Sequence, residues 1–260
     1  MVEVRGAVVV VTGGAGGIGA ALARRFAAGG AAAVVVADLP GADPDAVAAG
    51  LPAPVGAGLV LDATDEPAVS AAVARIEAEH GAIDLWCANA GVASPPGLGE
   101  DADWERCWRL HVHQTVLAAR HVLPRMVARG HGHLLVTASA AGLLTEPDTA
   151  PYAVTKHAAV ALAEWLAIRH GDDGVGVSCL CPQAVRTPML AGLPADSATL
   201  AAAPALSPEE VADAVAAGLA ANQFLILPHP EVAEYERRRA ADRDRWLAGM
   251  RRARARLRRS

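Results

Sequence analysis

The sequence predicts an α/β fold, a doubly wound and mainly parallel sheet in a single domain of residues 1–230, with a basic helical extension over 231–260. Two observations carry this. Short apolar runs alternate with helical patterns along the first 227 residues, which is the rhythm of strand, crossover and parallel strand. The first run also ends directly in a glycine-rich turn that opens a helix. At 260 residues, 53% apolar but only 3% aromatic, the chain must build its core from alanine, valine and leucine.

The first strand is expected over 7–11, Ala7 to Val11, and leads into Thr12-Gly13-Gly14-Ala15-Gly16-Gly17-Ile18-Gly19. Glycines there let backbone approach a pyrophosphate, and the helix opening near Gly17 aims free N–H groups and its positive dipole end at phosphate. The second strand, 33–37, ends in Asp38, about 20 residues past the glycines, where an acid binds the adenosine ribose hydroxyls. A carboxylate there repels a 2′-phosphate and no basic residue adjoins it, so NAD is expected over NADP. Further strands are expected over 57–61, 83–88, 133–138, 175–180 and 224–227. Helical patterns lie between them, long ones over about 102–129 and 151–170.

Lys156 is the only lysine; the other 22 basic residues are arginine. A compact ammonium with rotatable donors differs from a flat guanidinium fork. It lies four residues after Tyr152, one of two tyrosines, and four residues on a helix is one turn on one face. A nearby cation is expected to lower the phenol's pKa and make it a proton-transfer group.

With T-G-x-x-x-G-x-G at Thr12–Gly19 and Y-x-x-x-K at Tyr152–Lys156, the chain resembles the short-chain dehydrogenase/reductase family over residues 5 to about 227, on a Rossmann-type sheet. The resemblance implies that Gly13, Gly17, Ile18, Gly19, Asp38, Asp62, Asn89, Tyr152, Lys156, Pro182 and Thr187 hold the cofactor. It implies catalysis by Ser139, Tyr152 and Lys156 on a secondary alcohol or its ketone. Tyr152 would be the acid/base, Lys156 would tune it and hold the nicotinamide ribose, and Ser139 would steady charge on the substrate oxygen. Ala88-Asn89-Ala90-Gly91 departs from the family's N-N-A-G at its first residue.

Two other departures matter. His111 stands where the family usually has asparagine; it is expected either to join a proton relay from the lysine or to shift its pH dependence, with a merely tolerated histidine as the alternative. Gln183 replaces the common glycine after Pro182 and adds an amide near the reacting centre. Met189 to Leu206, with Leu190, Leu193 and Leu200, lies in the lid position of the family and suggests an apolar substrate pocket. Loops 92–99 and 143–149 would wall it, with Glu146 and Asp148 either facing a polar group or simply solvated.

Cys87, Cys107, Cys179 and Cys181 have no metal or redox spacing and read as reduced core thiols. The nine histidines lack ligand partners at metal spacing, and His131 to His133 read as a turn. No segment is long enough to span a bilayer and the start lacks a signal pattern, so a cytoplasmic protein with no membrane partner is expected. Residues 231–260 carry a net charge of +6 against −11 for the rest. With Trp246, Leu247 and Met250 at helical spacing, the extension is expected to pack on the body or a partner subunit, and no nucleic-acid partner is expected. By resemblance the long helices would pair into a homodimer or homotetramer. Two rival functions remain open, a cofactor sensor without turnover and a non-redox reaction such as epimerisation through a transient ketone.

Overall fold

Valine runs that are buried on both faces make poor helices and good central strands, because a branched Cβ is stiff and packs well on a pleated surface. The computed structural model describes residues 3–52, 54–192 and 204–257. In it the first run forms β1, Val8–Thr12, with every residue buried. The other strands are β2 (Ala33–Asp38), β3 (Gly56–Val60), β4 (Leu85–Ala88), β5 (Gly132–Thr137), β6 (Val175–Leu180) and β7 (Leu225–Ile226). They pair in parallel in the order β3-β2-β1-β4-β5-β6-β7. The order reverses between β1 and β4, the crevice where such sheets bind ligands at their carboxyl ends.

Side chains alternate between two cores. Val8 and Val10 join a cluster with Val69, Leu117, Met126, Ala159 and Leu166, from α3 (Glu66–His80), α5 (Gln114–Arg129) and α7 (Ala150–His170). Val9 and Val11 join Leu22, Phe26, Val211 and Leu219, from α1 (Gly17–Ala28) and α9 (Pro208–Ala220). Each fully buried valine or leucine contributes roughly 1.5–3 kcal/mol. The sheet is therefore held from both sides, as the alternating pattern predicts.

Short helices complete the chain: α2 (Pro44–Ala49), α4 (Asp101–Trp108), α6 (Ala141–Leu144) and α8 (Pro188–Ala191). Two features differ from expectation. The helix expected over 102–129 is broken by a π-helical segment, Arg109–His113, between α4 and α5. The amide of Gln114 donates to the Leu110 and Ala90 carbonyls, and a side chain competing for a helix carbonyl favours such a bulge. His133 lies inside β5, as the strand expected over 133–138 requires and against the turn read over His131 to His133: Nε2 meets Ser178 Oγ at 2.9 Å, and the ring packs where a Cβ on Gly176 would sit 2.2 Å from Nδ1.

The extension forms α10 (Glu231–Ala241) and α11 (Arg243–Leu257). Val232, Tyr235 and Trp246 seat it on the core, and the Tyr235 and Trp246 rings lie 6.4 Å apart. Leu247 is 47% exposed, so the seam runs through Trp246 and not through it. Leu193 and Leu200 of the expected lid lie outside the described residues. Among the described residues no helix is long and apolar enough to cross a membrane.

Candidate active site

The glycine turn is built so tightly that side chains are excluded from it. Gly13 and Gly17 have φ of 61° and 47°, the left-handed region that glycine adopts without strain. A Cβ on Gly13 would sit 2.8 Å from Ala90 Cα, one on Gly17 2.9 Å from Thr187 Cγ2, and one on Gly19 2.0 Å from the Gly13 carbonyl oxygen. Ile18 packs against the core behind the turn.

Two polar side chains clamp this turn. Asp38, at the end of β2, accepts the Ala15 N–H at 3.0 Å and the Leu39 N–H at 2.8 Å. Asn89, at the end of β4, donates to the carbonyls of Thr12 and Gly13 at 3.1 and 3.3 Å and accepts from Thr137 Oγ1 at 3.1 Å. Its amide is therefore committed to the turn. Thr12 Oγ1 in turn accepts the N–H groups of Asn89 and Ala90. Asp62 is exposed after β3 and closes a turn onto the N–H and hydroxyl of Thr64, both at 2.8 Å.

On the next strand ends, Ser139 is buried; its hydroxyl accepts the Ala141 N–H at 3.1 Å and donates to the Pro182 carbonyl at 3.4 Å. The α7 helix brings Tyr152 and Lys156 to the same edge. Lys156 Nζ lies 5.7 Å from the Tyr152 ring centroid and donates to the Thr137 carbonyl at 2.9 Å. The space for it depends on Gly142, where a Cβ would lie 2.5 Å from the Lys156 carbonyl oxygen. Thr187 caps α8 through Leu190 N–H at 3.4 Å and faces Gly17.

Burial dominates the electrostatics. It lowers the ammonium of Lys156 from 10.5 to about 8. The Tyr152 residue is half-buried, yet its phenol sits deep enough that burial pushes its pKa up, while the Ser139 hydroxyl beside it pulls the other way. That reverses the direction expected from the Tyr152–Lys156 spacing. Desolvation outweighs the Ser139 hydrogen bond, while the Lys156 ammonium spends a donor on the Thr137 carbonyl.

His111, in the π segment, packs edge-on against the Tyr152 ring at 5.3 Å and 84°. Its Nδ1 lies 2.8 Å from Thr155 Oγ1, and its Nε2 lies 3.2 Å from Val92 N and 3.0 Å from Val92 O. Thr155 already donates to the Pro151 carbonyl at 2.6 Å. In the neutral ring the proton is thus assigned to Nδ1, with Nε2 accepting from Val92. Burial, then Lys156, hold the ring well below its ordinary 6.5.

Glu146 is consumed within its loop: its carboxylate accepts the N–H groups of Asp148 and Thr149 and the Thr149 hydroxyl. Sequence reasoning missed Thr12, Thr137, Thr155 and Gln114. Thr12 and Thr155 lie within the two motifs, but only the fold shows their partners. All four cysteines are buried free thiols, and among the described residues no cluster of three His, Cys, Asp or Glu could hold a metal.

Comparison with known proteins places this geometry. The family model described as short chain dehydrogenase matches residues 7–198. A cis-4-hydroxycyclohexanecarboxylate dehydrogenase of Sinomonas cyclohexanicum is 36% identical over 163 residues, 60% of this chain and 66% of that protein. A meso-2,3-butanediol dehydrogenase of Serratia marcescens is 36% identical over 185 residues, 68% of this chain and 73% of that one. Against Oxidoreductase UcpA of Escherichia coli the chain spans only 51% of the relative's length. Among solved structures, a short chain dehydrogenase/reductase from Burkholderia phymatum in complex with NAD superposes with a TM-score of 0.83 at 28% identity, covering 94% of this chain and 96% of the other.

Proposed function

Because the chain belongs to the short-chain dehydrogenase/reductase family, we propose that it is an NAD-dependent oxidoreductase interconverting a secondary alcohol and its ketone, with Tyr152 as acid/base. The observation that carries this is the meeting of Ser139, Tyr152 and Lys156 at the strand edge that also holds the Asp38-anchored glycine turn.

The residues fit NAD. Gly13, Gly17 and Gly19 form a cradle that a Cβ would fill, the α1 N-terminus faces it, and Asp38 presents a carboxylate to the ribose hydroxyls and against a 2′-phosphate. Asp62 would lie at the adenine, while Pro182 and Thr187 would flank the carboxamide and Asn89 would hold the turn. NAD supplies the hydride acceptor when bound, the chemistry being the cofactor's. Tyr152 removes the hydroxyl proton of the alcohol or returns it to the ketone oxygen. Ser139 holds that oxygen by hydrogen bond and opposes the burial that raises the phenol, and Lys156, with one donor on Thr137, keeps two for the ribose.

Two relatives are named for a hydroxycyclohexanecarboxylate and a butanediol, which supports a small secondary alcohol or its ketone as substrate, and the hydrophobic character we propose for it rests on the apolar residues of the 189–206 segment. On α7, Val154, Trp165 and Ile168 share one face and are 50, 58 and 86% exposed. That face supports a homodimer or homotetramer. Four reduced cysteines favour a cytoplasmic setting.

The test is NADH absorbance with NAD and a panel of secondary alcohols, with Tyr152→Phe as blank. Signal lost by about 10²–10⁴-fold in the variant supports the reading. Substrate conversion without net NADH would replace it with an epimerase-like reaction, and NAD binding without conversion by a sensor.

A further inference from the structure

The β6–β7 ladder ends in an unusual rung. Cys179 N–H donates to the Phe224 carbonyl at 2.6 Å and Cys181 N–H to the Ile226 carbonyl at 3.0 Å. Two residues further along, the next donor is Gln183 N–H, and the register points it at the Pro228 carbonyl. Its acceptor is instead Nδ1 of His229, at 3.2 Å. The imidazole extends the ladder by one rung beyond the last strand, where the Pro228-His229-Pro230 run cannot continue as strand.

That rung sits behind the candidate cofactor site. On its other side, the Pro182 carbonyl accepts the Ala140 N–H at 2.8 Å and the Ser139 hydroxyl at 3.4 Å. Beyond it, Ala184 and Arg186 are bridged to Leu206, and Thr187 meets Gly17. Segment 182–187 is thus pinned between the catalytic serine and His229. We propose that His229 is a positioning residue that holds Pro182–Thr187 in the conformation that receives the nicotinamide end of NAD; this rests on the NAD reading above.

The rung requires an unprotonated Nδ1, so Nε2 carries the ring proton. Burial holds the ring below its ordinary 6.5, while Glu231, the Ala184 and Pro204 carbonyls and Glu210 act the other way. Glu210 is itself paired with Arg186 at 3.6 Å. A second proton would turn Nδ1 into a donor facing a donor, and the rung would break.

The experiment compares wild type, His229→Leu and His229→Asn in the full chain, measuring the NAD Kd by calorimetry and amide exchange at Gln183 without ligand. An asparagine carbonyl can stand in for Nδ1 as acceptor; leucine cannot. The expected result is faster Gln183 exchange and an NAD Kd raised about tenfold in His229→Leu, both restored by His229→Asn. In kinetics the loss falls on KM for NAD more than on kcat. Wild-type affinity also weakens as pH falls through the ring's pKa, and His229→Asn is flat across the same range. An NAD Kd in His229→Leu within twofold of wild type, or no rescue by asparagine, overturns the proposal alone. Absence of NAD binding by the wild-type protein overturns the functional reading, and the cofactor role of His229 with it.

Discussion

His111 Nδ1 and Thr155 Oγ1, 44 residues apart in sequence, lie 2.8 Å from each other beneath the Tyr152 ring. The contact ties the π segment to α7 one residue before Lys156. Both ring nitrogens have partners in the neutral state, and burial keeps the ring neutral near pH 7.

This predicts that His111 acts through position. His111→Asn should leave the shape of the pH–rate profile unchanged between about pH 6 and 9, because burial keeps the His111 ring itself from titrating there. It should lower stability by about 1–3 kcal/mol through the lost buried bonds. An acid limb that moves in the variant would instead place His111 in the proton path.

Lys156 is a buried cation with a pKa of about 8 against 10.5. Below pH 8 the ammonium is charged in folded and unfolded chains alike, so its burial costs on the order of 3 kcal/mol, and the cost fades as pH rises from about 8 to 10.5. Lys156→Met loses the Thr137 bond but should still raise stability by about 1–2 kcal/mol at pH 7 while abolishing turnover. Denaturant melts at pH 7 and 10 check this; the difference should shrink at the higher pH.

His133 predicts an acid-sensitive core. Ser178 donates to the Gln223 carbonyl at 2.6 Å, so the ring donates to Ser178 from Nε2. Burial lowers its pKa to about 4. The unfolded chain takes up a proton near 6.5 that the folded chain refuses until about 4. Stability should therefore fall by about 3 kcal/mol as pH drops through that window. In His133→Leu that part of the pH dependence should vanish from the thermal melts.

Asp38 holds two N–H groups and carries the charge that disfavours a 2′-phosphate. Asp38→Asn keeps an acceptor and removes the charge. The ratio of NADP to NAD affinity should rise at least about tenfold. An unchanged ratio in calorimetry would show that discrimination lies elsewhere.

Much of this molecule was legible along the chain. Short apolar runs placed each strand within one or two residues, since a strand buried in a parallel sheet leaves a local apolar signature. The glycines, Asp38, Tyr152 and Lys156 stood out by spacing, because turns and helix faces are local geometry, whereas Ser139 was singled out only by the family resemblance. What spacing could not carry was any property set by residues distant in sequence. The direction of the Tyr152 shift follows from burial, which no neighbour in sequence reports. The π segment depends on where Gln114 finds its acceptors, and His133, read both as the start of a strand and as part of a turn, is settled as a core residue by Ser178 and Gly176. The rung between His229 and Gln183 spans 46 residues and exists only once β6 and β7 pair. Local propensity and pattern determined the elements and the reactive groups; packing across the sheet decided their protonation, their partners and their orientation, because desolvation and hydrogen bonding are set by what the fold brings alongside.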